Sequence, residues 1–291
     1  MRIVAKIGGS LMKEGVPTQL VEDAVALSPS HQLVIVHGGG DVVTEYATRL
    51  GKEQRFVVSP EGIRSRYTDR ETAEIYQMVM SGLLAKRLVL ALGKAHLKSV
   101  SLAGADGLLL QGKRKTRLVI MDERGRRVVI EGGYTGKVEG VNSGLIDMLL
   151  SQGYVPVISP VAAGEAGEPL NIDGDRAASS IASKIAADAV IFLTNVEGLK
   201  LDDKLVTHLS TAEATSKLPK IGFGMQKKVM AAVEAVDYVT IYHDAPLENV
   251  IRVVRPNVIL KRAVRGNEVS DLSEDVTSSW LELPERQARQ G

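Results

Sequence analysis

Apolar residues in this chain fall into two patterns that alternate along its length. Short, nearly unbroken runs rich in Val and Ile are Arg2 to Ile7, Leu33 to Val36, Ser99 to Leu102, Val155 to Ile158, Ala189 to Thr194 and Tyr238 to Tyr242. Between them, apolar positions recur at helical spacing over Gln19 to Leu27, Asp41 to Leu50, Arg70 to Leu92 (ended by Gly93), Val141 to Leu150, Arg176 to Ala187, Thr211 to Lys217 and Met225 to Val236. Unbroken β-branched runs suit strands covered on both faces. Strands alternating with helices predict a parallel sheet with helices on each side. The expected fold class is α/β, a three-layer αβα sandwich about a mainly parallel sheet. Thr68 to Glu71 has the spacing of a capping box and marks the start of the long helix.

Three stretches break the alternation. Leu118 to Met121 and Val128 to Ile130 flank Asp122 to Arg126, which predicts a hairpin with Gly125 in its turn. Glu131 to Gly136 is glycine-rich and reads as a mobile segment, and Gly164 to Pro169 reads as a loop. A loose division near Asp173 separates a lobe of residues 1–173 from one of 174–291. Beyond about Arg265 the chain is polar and aperiodic until Trp280, and its last residues read as a disordered tail.

Composition narrows the chemistry. The 291 residues carry a net charge of +1, so the molecule as a whole is no polyanion binder and any basic face is local. Cysteine is absent, which excludes disulfides and thiol catalysis. Five scattered histidines without metal-ligand spacing argue against zinc. No apolar run reads as long enough to span a bilayer, and Met1 leads directly into a strand with no signal-peptide pattern, so a cytoplasmic protein is expected.

The ends of the strands carry the candidate chemistry. In open parallel sheets, ligands lie outside the carboxyl ends of the strands. Lys6-Ile7-Gly8-Gly9, His37-Gly38-Gly39-Gly40 and Thr194 to Gly198 all fall there. Two glycine turns with unobstructed N–H groups could line opposite sides of one anion, with Lys6 adding a full charge. Either turn could equally be a tight turn and nothing more. Gly107 to Lys113 matches most of a Walker A loop, but Arg114 stands where Ser or Thr would be and no helix follows, so we read it as chance. Gly222-Phe223-Gly224 lacks the third glycine of a dinucleotide fingerprint. Asn171, Asp173 and Asp175 sit at alternate positions before a helix and could share a site, or Asp173 or Asp175 could simply cap that helix. Lys227 and Lys228 in the first turns of the Met225 helix oppose its dipole, so their presence there favours a functional charge.

Basic residues gather at Lys113, Arg114, Lys115, Arg117, Arg124, Arg126 and Arg127, with a second concentration from Arg49 to Arg70. Such a face steers an acidic partner; a solvated hairpin would look the same. Near-zero net charge and few aromatic rings speak against nucleic acid.

Taken together, Lys6-Ile-Gly-Gly9, His37-Gly-Gly-Gly40, Asn171-Ile-Asp-Gly-Asp175, Thr194-Asn-Val-Glu-Gly198 and Gly224-Met-Gln-Lys-Lys228 resemble the amino-acid kinase family over Arg2 to about Tyr242. Its members phosphorylate carboxylates, carbamate or phosphate with ATP, on a carbamate kinase-like fold. The nearest branch is the N-acetylglutamate kinases. Within it, Ser59 to Asp69 is similar to kinases acting on glutamate or α-aminoadipate carried by the acidic amino-group carrier protein LysW. The resemblance implies that Lys6 and Lys228 stabilise the transferring phosphoryl and that Asp175 holds them. It implies that Gly8, Gly9, Gly39 and Gly40 donate N–H groups to the phosphates, Gly8 and Gly9 as part of the ATP site and Gly39 and Gly40 as part of the substrate site. Arg64 or Arg66, with Asn171, would hold the amino-acid end of the substrate. Thr194, Asn195, Gly198, Leu199, Lys220, Gly224 and Met225 would line the nucleotide. Mg²⁺ would bridge the ATP phosphates, with no dedicated metal residue, and a homodimer is implied. The family's closing Gly-Thr-rich segment has no counterpart in residues 258–280.

The expected function is ATP-dependent formation of an acylphosphate on the side-chain carboxylate of carrier-bound α-aminoadipate, and also glutamate, in lysine and arginine biosynthesis, with the basic hairpin docking LysW. The alternatives are a kinase of free N-acetylglutamate and a catalytically silent amino-acid sensor; the latter has no need of both lysines.

Overall fold

A computed structural model describes residues 1–194, 199–201, 204–205, 208–218, 221, 223–235, 238–242 and 250–254. The chain begins β1 (Arg2–Ile7), α1 (Thr18–Leu27), β2 (Gln32–His37) and α2 (Gly40–Arg49), two strand–glycine–helix units in succession. A short hairpin follows, β3 (Phe56–Val58) and β4 (Arg64–Arg66), and then α3 (Arg70–Gln77) and α4 (Ala85–Lys94) run as one helix through a π-helical stretch, Met78–Leu84. Next come β5 (Ser99–Ala103), β6 (Leu110–Arg114), the hairpin β7 (Arg117–Met121) and β8 (Arg127–Glu131), then β9 (Gly136–Val141) and α5 (Gly144–Ser151). The chain continues through β10 (Val155–Ser159), β11 (Val161–Gly164), β12 (Pro169–Asn171), α6 (Gly174–Lys184) and β13 (Ala189–Leu193). Among the remaining described residues are the small strands β14 (Lys200–Leu201) and β15 (Lys204–Leu205), then β16 (His208–Ser210), α7 (Thr211–Lys217), α8 (Phe223–Ala235), β17 (Tyr238–Tyr242) and β18 (Val250–Val254).

The main sheet runs β16-β17-β18-β13-β1-β2-β10-β5. From β13 to β5 every pairing is parallel, and β18, β17 and β16 add antiparallel strands at one side. Residues on alternate sides of β1 and β2 enter different cores. Val4, Val34 and Val36 pack with Phe192, Ala178 and Ile181 toward α6 and α8. Ile3, Ile7 and Ile35 pack with Val43, Leu84 and Leu88 on the other side. Each fully buried aliphatic of this kind contributes roughly 1.5–3 kcal/mol. The sheet is continuous across position 173, since β13 pairs with β1.

Four expectations are corrected here. Asp69, not Thr68, caps α3, accepting from Thr72 N at 2.8 Å. Thr68 is buried and used elsewhere. Residues 136–141 form a strand, so the helix expected from Val141 begins at Gly144. Glu131 to Gly136 is pinned, not loose. Tyr134 N bonds Thr68 O at 2.6 Å, and a Cβ on Gly133 (φ +60°) would come within 2.3 Å of that same oxygen. Finally, Arg70–Lys94 is a 25-residue helix that by length and hydropathy alone could cross a membrane. Its apolar face (Ile75, Val79, Leu84, Leu88 and Leu92) is instead buried in the second core. The other helices and strands expected from the sequence agree within a few residues, whereas the short strands β3, β4, β6, β11, β12, β14, β15 and β16, and also β18, have no counterpart in the sequence reading. The polar stretch after Arg265, Trp280, Gly222 and Val236 lie outside the described residues.

Candidate active site

Because β13, β1 and β2 are parallel neighbours in register, their carboxyl ends are level. This brings Thr194, the Lys6–Gly9 turn and the His37–Gly40 turn together. The two glycine turns were expected to face each other across an anion. They instead touch: a Cβ on Gly9 would lie 2.8 Å from Gly39 N, and one on Gly38 would lie 2.9 Å from Gly9 N. A Cβ on Gly8 would meet Leu193 O at 2.9 Å. Only residues without side chains allow three backbone segments to approach this closely. Gly39 is further held by the π-helical stretch, since a Cβ there would strike Leu84 and Met80. Gly40 opens α2, so the positive end of that helix points along the same turn.

Lys6 lies on β1 and Asp175 in the first turn of α6, where Asp173 caps the helix by accepting from Asp175 N and Arg176 N at 3.0 and 3.2 Å. Lys228 comes from α8. Lys6 Nζ is 2.7 Å from Asp175 Oδ1, and Lys228 Nζ is 3.0 Å from Asp175 Oδ2. Lys6 and Asp175 are only 6% and 5% exposed. Burial alone would raise the Asp175 carboxyl, but the charges of Lys6 and Lys228 outweigh it and hold the group below its ordinary range. Burial lowers Lys228, and the nearby charge of Lys6 adds to that; Asp175 opposes both. Two ammonium groups therefore share one carboxylate, and an arriving anion would relieve their mutual repulsion.

Beside this triad lies a cavity of about 980 Å³, lined by Lys6, Gly38 to Gly40, Arg64, Arg66, Asn171 and Asp173 among others. Asn171 Nδ2 donates to Thr68 Oγ1 at 2.9 Å. Phe56 places its ring beneath both arginines, 3.9 Å from the Arg64 guanidinium carbon and 5.0 Å from that of Arg66. Arg66 is half-buried and bonded to the protein through both terminal nitrogens, whereas Arg64 is exposed. Thr44 and Phe56 escaped the sequence reading, and Thr68 and Tyr134 entered it only as parts of a capping box and of a glycine-rich segment. Phe56 and Thr68 were discoverable only through their proximity to the Arg64–Arg66 pair.

The other expected site residues separate into groups. Thr194 is buried next to Gly8. Met225 packs against the core, and Gly224 lies in the first turn of α8. Leu199 is fully buried among core residues, so its side chain offers no surface to a nucleotide in this conformation. Asn195, Gly198 and Lys220 lie outside the described residues. On the hairpin, Arg117, Arg124 and Arg127 are exposed. Lys115 borders the cavity. Arg114 is built into the structure instead, stacked on Tyr134 at 4.3 Å, bonded to Gly133 O and paired with Glu131. Arg126 is paired with Asp122 at 2.8 Å, and Lys113 with Glu139 at 3.5 Å. Gly107 to Lys113 is a turn followed by β6, consistent with a chance Walker match.

A lysine–carboxylate–lysine triad at the carboxyl ends of a parallel sheet, beside a glycine cradle, concentrates the positive charge that phosphoryl transfer requires of a phosphotransferase. The model of the amino acid kinase family matches residues 1–240, and the chain belongs to that family. A protein of Nitrosopumilus maritimus called "Putative [LysW]-aminoadipate/[LysW]-glutamate kinase" is 49% identical over 235 residues, covering 81% of this chain and 88% of its own. The "[LysW]-aminoadipate/[LysW]-glutamate kinase" of Metallosphaera sedula is 46% identical over 236 residues, with the same coverage of 81% and 88%. Among solved structures, carbamate kinase from Giardia lamblia bound to citric acid superposes with a TM-score of 0.57 at 16% identity, covering 87% of this chain and 98% of its own. N-acetylglutamate synthase from Neisseria gonorrhoeae gives 0.65 at 23% identity; the match covers 80% of this chain and about half, 51%, of the synthase. These two likenesses establish the fold alone.

Proposed function

We propose that this chain transfers the γ-phosphoryl group of ATP to the side-chain carboxylate of α-aminoadipate or glutamate carried on LysW, forming an acylphosphate. The observation that carries the reading is the sharing of the Asp175 carboxylate by Lys6 and Lys228. The 49% and 46% identical relatives carry this activity in their names. Phosphoryl transfer needs positioning and positive charge more than covalent work by the protein. Lys6 and Lys228 would take the charge that develops on the moving phosphoryl, and N–H groups of Gly9, Gly39 and Gly40 would cradle its oxygens; the Gly8 N–H is held by Leu193 O at 2.8 Å. The acceptor carboxylate is already ionised at neutral pH, so no general base is required. Arg64 would hold the substrate's carboxylate end, with Asn171 beside it.

No group of three or more His, Asp or Glu able to hold a metal occurs among the described residues. A divalent ion arriving with ATP would supply charge neutralisation at the phosphates. We further propose that residues 1–173 receive the substrate and 174–291 the nucleotide, that the chain works in the cytoplasm as a homodimer, and that exposed Arg117, Arg124 and Arg127 meet the acidic carrier.

ADP release measured side by side with carrier-linked aminoadipate, carrier-linked glutamate and free N-acetylglutamate tests the reading. Turnover should be highest with a carrier-linked acceptor. Turnover with the free amino acid alone would replace this substrate with the other, and no ADP from any acceptor would favour a silent sensor.

A further inference from the structure

The two arginines of β4 are two residues apart on one face of a strand, yet their guanidinium groups are in different situations. Arg66 Nη2 donates to Gly40 O at 2.7 Å and to Thr44 Oγ1 at 2.8 Å, and its Nη1 donates to Gln54 Oε1. The Thr44 hydroxyl in turn donates to Gly40 O at 3.1 Å. Arg66, Thr44 and Gly40 thus close a ring of hydrogen bonds on the first turn of α2. Phe56, opposite Arg66 in the β3–β4 ladder, carries both guanidinium groups on its ring. Arg64 makes no such bonds to the protein among the described residues, and it borders the same cavity as Gly39 and Gly40.

We propose that Arg66 is a positioning residue that fixes the distance between the substrate-holding hairpin and the phosphoryl cradle, so that Arg64 alone binds the acceptor. The inference rests on the carboxylate-kinase reading for its kinetic consequence. Arg66 ties the strand bearing Arg64 to the turn that presents the glycine N–H groups. The gap between acceptor carboxylate and γ-phosphoryl is therefore set through a guanidinium whose donors already have acceptors in the protein. A planar fork can bridge a carbonyl, a hydroxyl and an amide at once, which a lysine ammonium cannot reproduce. Misplacement of reacting groups by an ångström costs rate in the bound complex more than it costs binding.

The test compares Arg66→Lys, Arg64→Lys and the double variant Thr44→Val/Gln54→Leu, which removes two of the acceptors of Arg66. In Arg66→Lys, kcat should fall about 10–100-fold while the acceptor KM changes less than about threefold. In Arg64→Lys the acceptor KM should rise and kcat should change less. Adding Arg66→Lys to the double variant should cost less than it does in the wild type, because two of the three bonds are already broken and only the one to Gly40 O remains to be lost. Amide hydrogen exchange over residues 40–44 should quicken in Arg66→Lys and in the double variant, whether or not the acceptor is the one proposed. Unchanged exchange there, an acceptor KM effect in Arg66→Lys as large as in Arg64→Lys, or full additivity with the double variant would overturn the inference. Absence of ADP release by the wild-type protein would count against the kinase reading alone, since the exchange measurement does not depend on it.

Discussion

Lys228 donates to Asp175 Oδ2 at 3.0 Å across 53 positions of sequence, on the carboxylate whose other oxygen faces Lys6 at 2.7 Å. A central strand, β1, and two helices from distant parts of the chain, α6 and α8, are joined at one buried anion. The arrangement is costly in the absence of substrate, since it desolvates three charges, and that cost makes sense where charge must be ready for an incoming phosphoryl.

Lys6→Ala and Lys228→Ala should each lower kcat by roughly 10²–10³, the usual effect of deleting one donor to a transition-state oxyanion. Asp175→Asn should act differently. It leaves two buried ammonium groups facing each other, so it should cost about 3–5 kcal/mol of stability as well as rate. Urea unfolding alongside steady-state kinetics separates the two effects.

The fold was legible where one interaction dominates. Val34, Ile35 and Val36 are buried on both sides of β2, and their β-branched run announces it. Lys6, Lys228 and Asp175 were named from motifs because the chemistry tolerates few residue types. What stayed hidden depends on contacts distant in sequence. The π-helical stretch at Met78–Leu84 seats Gly39 against Leu84, and an i→i+5 bond pattern has no composition of its own. The segment at Gly132 and Gly133 looked loose because glycine marks both mobility and close approach; only the Thr68 carbonyl decides which. The strand at 136–141 was missed because Lys137 and Glu139 alternate with small and apolar residues over too short a span.

Gly133→Ala should be sharply destabilising, by more than about 2 kcal/mol. It combines positive φ with a clash on Thr68 O. Gly125→Ala, also at positive φ (+72°) but in open space, should cost only about 1 kcal/mol. Equal effects in thermal unfolding would mean that the Thr68 contact does not matter.

Charge reversal at Arg124 and Arg127 should raise the KM for a carrier-linked acceptor several-fold. The effect should shrink at high salt. Reversal at Arg114 should instead lower stability, because that side chain is stacked on Tyr134 and paired with Glu131. Kinetics at two ionic strengths, with melting curves, distinguish the two outcomes.

His37 is fully buried, and burial pushes its imidazole down to about 4; the bond from Nδ1 to Gly38 O opposes this and the charge of Lys6 adds to it. The unfolded chain takes up the proton near pH 6.5. Stability is therefore complete above that pH and falls as the pH drops from about 6.5 to about 4, by roughly 3 kcal/mol from this group. Urea midpoints across that window should decline in the wild type and decline less in His37→Gln.

Hydroxylamine trapping tests the central claim most directly. Wild-type protein, ATP and carrier-linked aminoadipate or glutamate in the presence of hydroxylamine should give a hydroxamate on the carried side chain, read by mass spectrometry. The Lys6→Ala/Lys228→Ala protein should give almost none. ADP release without hydroxamate, or equal hydroxamate from the double variant, would contradict the account.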